Sequence, residues 1–169
     1  MVLKKLREAI LGDNGVDQGQ DLLLREESSE GAALRQLERV LIIDDNQAQN
    51  YVCRVILERS GRVRDVVVKT DADSAYQYLC EEGGGTPTLV LLDIGMPIKD
   101  GWQFLDDFVQ LPDEQRSNYK VVILTEPALG EDEPLTVPTE VPNVSGFIPK
   151  PLEDDHVEGL IEEHFPLAQ

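Results

Sequence analysis

Five short apolar runs, each closed by a polar residue or a proline and four of them followed by helical periodicity, constrain the fold of this chain more than any other feature. Val40-Leu41-Ile42-Ile43 runs into Asp44-Asp45. Val63–Lys69 is rich in β-branched residues. Thr88–Leu92 ends in Asp93, and Val121-Val122-Ile123-Leu124 ends in Thr125. Val144–Ile148 is followed by Pro149-Lys150-Pro151. Runs that are continuously apolar, rather than alternating, predict strands buried on both faces. Between them, Asn46–Ser60 predicts a helix with Val52, Val55 and Ile56 on one face and Gly61 as its stop. Asp71 or Asp73 can cap a helix that passes through Tyr76 and Leu79 and ends near Gly83-Gly84-Gly85. A third helix is expected over Gly101–Gln110, stopped before Pro112. A last one, over Leu152–Phe165, turns Val157, Leu160 and Ile161 inward. Strand and helix in alternation predict a parallel sheet covered on both sides, because each crossover lays a helix on one face. Five strands fit the doubly wound order 2-1-3-4-5. In that order the first and third strands lie side by side where the winding reverses, and a crevice opens at their carboxyl ends.

The residues at those ends carry the chemistry. Asp44 and Asp45 close the first strand and Asp93 the third, so three carboxylates are expected in one crevice. Close carboxylates repel, and a cation relieves them. Mg²⁺ suits such a site, since it takes a few carboxylates and keeps waters or phosphate oxygens. Thr125 offers a hydroxyl from the fourth strand end, and Lys150 a positive charge after the fifth. The set suits phosphoryl transfer to a carboxylate, in which an Asp is the nucleophile and charge neutralisation matters more than a proton-moving base.

Composition narrows the partners. The net charge is −18 over 169 residues. This argues against nucleic acid or an anionic membrane surface as a direct partner. From Glu126 to Gln169 there are eleven Asp and Glu and a single Lys, Lys150. The N-terminus lacks a charged-then-apolar signal pattern and no apolar run is long enough to span a bilayer, so a cytoplasmic location is expected. Cys53 and Cys80 are expected as small buried side chains rather than a disulfide. His156 and His164 read as solvated or capping residues, and Tyr51 and Trp102 as packing residues.

In order along the chain, Leu41-Ile42-Ile43-Asp44-Asp45, Leu91-Leu92-Asp93-Ile94-Gly95-Met96-Pro97, Lys99-Asp100-Gly101, Leu124-Thr125 and Phe147-Ile148-Pro149-Lys150-Pro151 resemble the receiver domain of two-component response regulators, over about residues 39–166. The run Asp100-Gly101-Trp102-Gln103-Phe104-Leu105 is similar to the compact single-domain, chemotaxis-regulator-like members. The resemblance implies a flavodoxin-like fold with Asp93 as phosphoacceptor. It implies Mg²⁺ held by Asp45, Asp93 and the backbone carbonyl of Gly95, with Asp44 acting through water. Lys150 would pair with Asp93 and then with the phosphoryl group. Thr125 would move toward that group, and Phe147 would follow it as the switch aromatic. The implied partners are a histidine kinase or histidine phosphotransfer protein and a downstream protein target. The protein would catalyse only its own phosphorylation and dephosphorylation.

Three features depart from the family pattern. Glu126 stands where a small residue is usual and crowds the pocket entrance. The segment from Glu126 to Pro142 contains Pro127, Pro134, Pro138 and Pro142, which oppose a regular helix. Residues 1–38 precede the domain at 39–169 as an extension, expected to be partly helical or disordered. Leu3, Leu6, Ile10 and Leu11 have helical spacing, as do Ala33, Leu34 and Leu37. Asp13, Gly15 and Asp17 look faintly like a calcium loop, but the ending of such a loop is missing. No output module is expected, so a target protein or a phosphate relay would carry the signal. The alternative is a receiver-fold adaptor that is not phosphorylated. A turnover phosphatase of the haloacid dehalogenase type is disfavoured, because Asp44-Asp45-Asn46-Gln47 lacks the Asp-x-Asp arrangement.

Overall fold

A computed structural model describes residues 36–126 and 141–164. Along the chain these form β1 Leu37–Ile43, α1 Gln47–Arg59, β2 Val63–Lys69, α2 Ala72–Glu82, β3 Thr88–Asp93, α3 Gly101–Phe108, a short α4 Asp113–Arg116, β4 Tyr119–Thr125, β5 Val144–Pro149 and α5 Asp154–His164. The strands pair in parallel as one sheet in the order β2-β1-β3-β4-β5. This is the doubly wound, flavodoxin-like arrangement that the apolar runs predict. The register sets Ile43 beside Leu92 and Asp93 beside Leu124. The ends of β1, β3 and β4 therefore lie at one edge.

The sheet buries alternate side chains on its two faces. Val40, Ile42, Leu89, Leu91, Val122 and Leu124 pack with Cys53 and Leu57 of α1 and with Val157, Leu160 and Ile161 of α5. Leu41, Ile43, Val90, Leu92, Val121 and Ile123 pack with Ala75 and Leu79 of α2 and with Phe104, Leu105 and Phe108 of α3. Every residue of β3 is buried, which is why its sequence lacks the alternation of a one-sided strand. Each fully buried Leu or Val contributes about 1.5–3 kcal/mol.

The helices start beside the strand ends because their first residues are capped there. The Asn46 side chain accepts from the N–H groups of Ala48 and Gln49 at 3.0 and 3.2 Å. Asp71 accepts from the Ser74 N–H at 2.8 Å, and this holds its carboxyl below the usual range. Asp71, rather than Asp73, is the cap. Asp100 and Gln103 form a capping box at the start of α3. Nδ1 of His156 accepts from the Glu153 N–H at 3.1 Å, so this histidine serves as a cap at the start of α5.

Several expectations need correction. The buried face of α1 is Asn50, Cys53 and Leu57, while Val52 and Val55 are 46% and 38% exposed. Apolar residues occupy so wide an arc of this helix that its pattern alone does not select the phase. Tyr51, expected to pack, is 70% exposed, and Trp102 is 39% exposed. Cys53 is buried as expected, whereas Cys80 is exposed; both are free thiols. Leu37, read with a helical pattern, is the first residue of β1 and is buried. The short helix α4 was not foreseen. The readings for residues 1–35, most of the proline-bearing stretch (127–140) and the His164 side chain lie outside the described residues. Among the described residues, no helix is long and apolar enough to cross a membrane.

Candidate functional site

The carboxyl edge of the sheet brings Asp44, Asp45 and Asp93 together, with one carboxylate oxygen from each inside a cluster whose members lie within 4.8 Å of one another. Asp44 and Asp93 are 2% and 8% exposed, whereas Asp45 faces solvent. Lys150 enters this cluster from the turn after β5. Its Nζ donates to Asp44 Oδ2 at 2.8 Å and lies 3.1 Å from Asp93 Oδ1. The lysine thus bridges both buried carboxylates and sits nearer to Asp44 than to Asp93, the partner named by the sequence reading. Burial draws its ammonium toward a lower pKa, but the hydrogen bond and charge of Asp44, joined by those of Asp93, outweigh this and hold it above the ordinary lysine value.

Local backbone contacts fix the three acids. Asp44 Oδ1 accepts from the Asn46 N–H at 2.7 Å, and the Asp44 N–H donates to the Lys69 carbonyl at 3.2 Å. Asp93 Oδ1 accepts from the Gly95 N–H at 3.1 Å. Gly95 is therefore at the site through its N–H, which lies on the phosphoacceptor candidate, whereas the sequence reading named its carbonyl. Gly101 lets α3 approach the same turn. A Cβ there would lie 2.6 Å from the Asp93 carbonyl oxygen and 2.7 Å from Ile94 Cα, too close for any side chain. Lys99 ties the turn down further. It donates to Asp73 of α2 at 2.6 Å and also to Asp107 of α3.

Thr125 closes β4 and is 7% exposed, and its carbonyl accepts from the Lys150 N–H at 2.7 Å. The fourth and fifth strand ends are thus locked together beside the acids. Phe147 lies two residues before the end of β5, opposite Ile123. It is partly buried against the α2–α3 side of the core, so it stands behind the site rather than in it.

A groove of about 410 Å³ opens beside Lys150, lined by Ala48, Val52, Cys53, Leu152 and Glu126 among others. Burial pushes the Cys53 thiol up, and the Asp44 charge adds to this. Glu126 is exposed at this groove. Two residues of consequence escaped the sequence reading. Lys99 was noted only within a motif. Asn50 is a buried polar residue on α1 whose Nδ2 donates to the Asp44 carbonyl at 2.6 Å. Its signal was a polar residue in phase with Cys53 and Leu57. Among the described residues its Oδ1 has no partner, an arrangement that costs on the order of 1–3 kcal/mol.

The donor set at the crevice is all oxygen, and two of its three acids are already partly neutralised by Lys150. Such a set fits a hard divalent cation that keeps several waters. The match to known proteins agrees with this architecture. The family model of the response regulator receiver domain matches residues 40–162. The chain belongs to this family. Membership places this receiver domain among the response regulators of two-component signalling. Response regulator Rcp1 of Synechocystis sp. is 30% identical over 90 residues, which are 51% of this chain and 60% of Rcp1. The chain thus matches less than two thirds of that relative's length. A two-component response regulator from Cytophaga hutchinsonii is 25% identical with a TM-score of 0.64, over 76% of this chain and 97% of that one. The receiver domain of the sensor histidine kinase PA1611 from Pseudomonas aeruginosa PAO1 is 17% identical with a TM-score of 0.56, over 75% and 96% of the two chains. That likeness shows the fold, and that structure has a magnesium ion coordinated in its active site cleft.

Proposed function

We propose that this receiver accepts a phosphoryl group on Asp93 from a phosphohistidine on a histidine kinase or phosphotransfer protein, in a Mg²⁺-dependent reaction, and then signals to a protein target or relays the phosphate. The observation that carries the reading is the Asp93 carboxylate itself. It ends the central strand, is nearly buried, and has Lys150 at 3.1 Å with Asp44 and Asp45 beside it. Asp45, Asp93 and the Gly95 carbonyl would hold Mg²⁺, with Asp44 acting through water; the PA1611 receiver domain also has a magnesium ion in its active site cleft. When bound, the ion supplies charge that offsets the carboxylates and the phosphoryl oxygens.

The chain's own residues have separate tasks. An Asp93 carboxylate oxygen forms the new P–O bond while the P–N bond to the donor imidazole breaks, and the bonding pair leaves with the imidazole. The Gly95 N–H and Lys150 orient the nucleophile. Lys150 then shifts its hydrogen bonding toward the phosphoryl oxygens. Thr125, on the neighbouring strand end, supplies a hydroxyl to the same group, and Phe147 repacks behind it. A local charge change thereby biases a two-state element. Activity is confined to the protein's own phosphorylation and dephosphorylation.

Intact-mass spectrometry after incubation with Mg²⁺ and a phosphodonor tests this. One added phosphoryl group is expected, and none in Asp93→Asn. Glu126 at the groove beside Lys150 favours a second reading, a non-phosphorylated adaptor in a protein complex. No adduct and no binding of beryllofluoride would make that reading the better one.

A further inference from the structure

Asn50 is anomalous among the buried side chains. It is 5% exposed and lies in phase with Cys53 and Leu57 on the inward face of α1, where an apolar residue would pack. Its Nδ2 donates to the Asp44 carbonyl at 2.6 Å. Its Oδ1 is the one buried side-chain polar atom among the described residues that has no hydrogen-bond partner. Exchanging the two amide atoms would set oxygen against oxygen, so the orientation is settled by the network.

The carbonyl that Asn50 holds belongs to the peptide joining Asp44 to Asp45. This peptide lies just beyond the end of β1, where the ladder no longer orients it. The Asp44 N–H is tied to Lys69 and the Asp44 side chain to the Asn46 N–H. Asn50 adds the tie on the far side, and so sets the plane from which the exposed Asp45 side chain departs. A leucine, with the same branching, would avoid the orphan acceptor but would leave that peptide without its donor.

We infer that Asn50 is a positioning residue, which holds the Asp44–Asp45 peptide so that the Asp45 carboxylate is aimed at Asp44 and Asp93, and which thereby sets the affinity of the crevice for Mg²⁺; the inference rests on the metal site proposed above. Calorimetric titration with MgCl₂ of the parent, Asn50→Leu and Asn50→Ala tests it, with thermal unfolding of each metal-free protein alongside. Partners that orient metal ligands are commonly worth about ten- to a hundredfold in affinity. The Kd for Mg²⁺ should rise by about tenfold or more in the Asn50 variants. If Asn50→Leu fails to fold, Asn50→Ala, which leaves room for a water, carries the test. Leu57→Val, a buried change about two turns along the same helix, should lower the Tm and leave the Kd for Mg²⁺ where it was. With acetyl phosphate, the Mg²⁺ concentration for half-maximal phosphorylation should rise with the Kd, while the rate at saturating Mg²⁺ is preserved. An unchanged Kd in a folded Asn50 variant overturns the inference and leaves the phosphoacceptor reading standing. A Kd that rises equally in Leu57→Val also overturns it, since the effect would then be general loosening. A parent protein that takes up no Mg²⁺ overturns the proposed metal site, and this inference with it.

Discussion

Lys150 lies between Asp44 and Asp93 with only 8% of its side chain exposed. Removing one partner of so buried a set strands the others. Lys150→Met should therefore cost about 3 kcal/mol near neutral pH, measured by urea unfolding. The pH dependence follows from the raised pKa of the lysine. Its contribution is complete below the unfolded-state value of about 10.4 and is lost as pH rises through the higher folded-state value. The gap in urea midpoint between parent and Lys150→Met should be level from about pH 7 to 9 and narrow above about pH 10.5. A gap that closes instead at neutral pH would show that the pair is not the source. Glu126 is exposed at the groove, so on the proposed function its charge would bear on donors rather than on stability. Glu126→Ala should be phosphorylated faster than the parent by acetyl phosphate, and equal rates would reject a gatekeeping role. At this scale the clustered acids, Thr125 and Lys150 were legible, since each stands at the end of an apolar run. Asn50 was not, because a polar residue in a helix acquires meaning only when the carbonyl it reaches is known.

The connection from β3 to α3 shows how elements place a side chain. Asp93 leaves the strand, Gly95 returns an N–H to it, Lys99 clamps the turn to α2 and α3, and Gly101 brings α3 against the Asp93 backbone. A methyl group at position 101 must push α3 away from the site. Gly101→Ala should cost about 1–3 kcal/mol, as overpacking does, and should slow phosphorylation beyond what the stability loss explains. Denaturant midpoints and the mass assay read the two effects separately. The same turn holds Ile98 at φ 70° and fully exposed, an uncommon place for a β-branched residue. Whereas the caps Asn46 and Asp100 were seen only in the structure, the Asp71 cap and the stops at Gly61 and Gly83 were readable in advance because each acts within one turn of its own position. The inward face of α1 was not, since six of its residues between Tyr51 and Leu57 are apolar and only contact with the sheet selects among them.

For the molecule as a whole, a net charge of −18 acts on every anionic donor that approaches Asp93. Screening should weaken this repulsion. At a fixed saturating Mg²⁺ concentration, raising KCl from about 10 to 150 mM shortens the Debye length to about 8 Å or less. The rate of phosphorylation by acetyl phosphate should rise across that range. A rate that is flat or falling would mean that Lys150 and the bound cation already cancel the distant charge.

The order of elements, the parallel sheet and the gathering of carboxylates at one edge were all determined by local sequence. Period, capping and the length of apolar runs are properties of neighbouring residues, and right-handed crossovers leave few ways to assemble them. Tertiary structure alone decided which face of α1 is buried, that Lys150 favours Asp44 over Asp93, that Lys99 braces the turn after Asp93, and that Asn50 holds the Asp44–Asp45 peptide. Each of these joins separate elements or depends on their packing, and the energies that select them arise only when the sheet has closed around them.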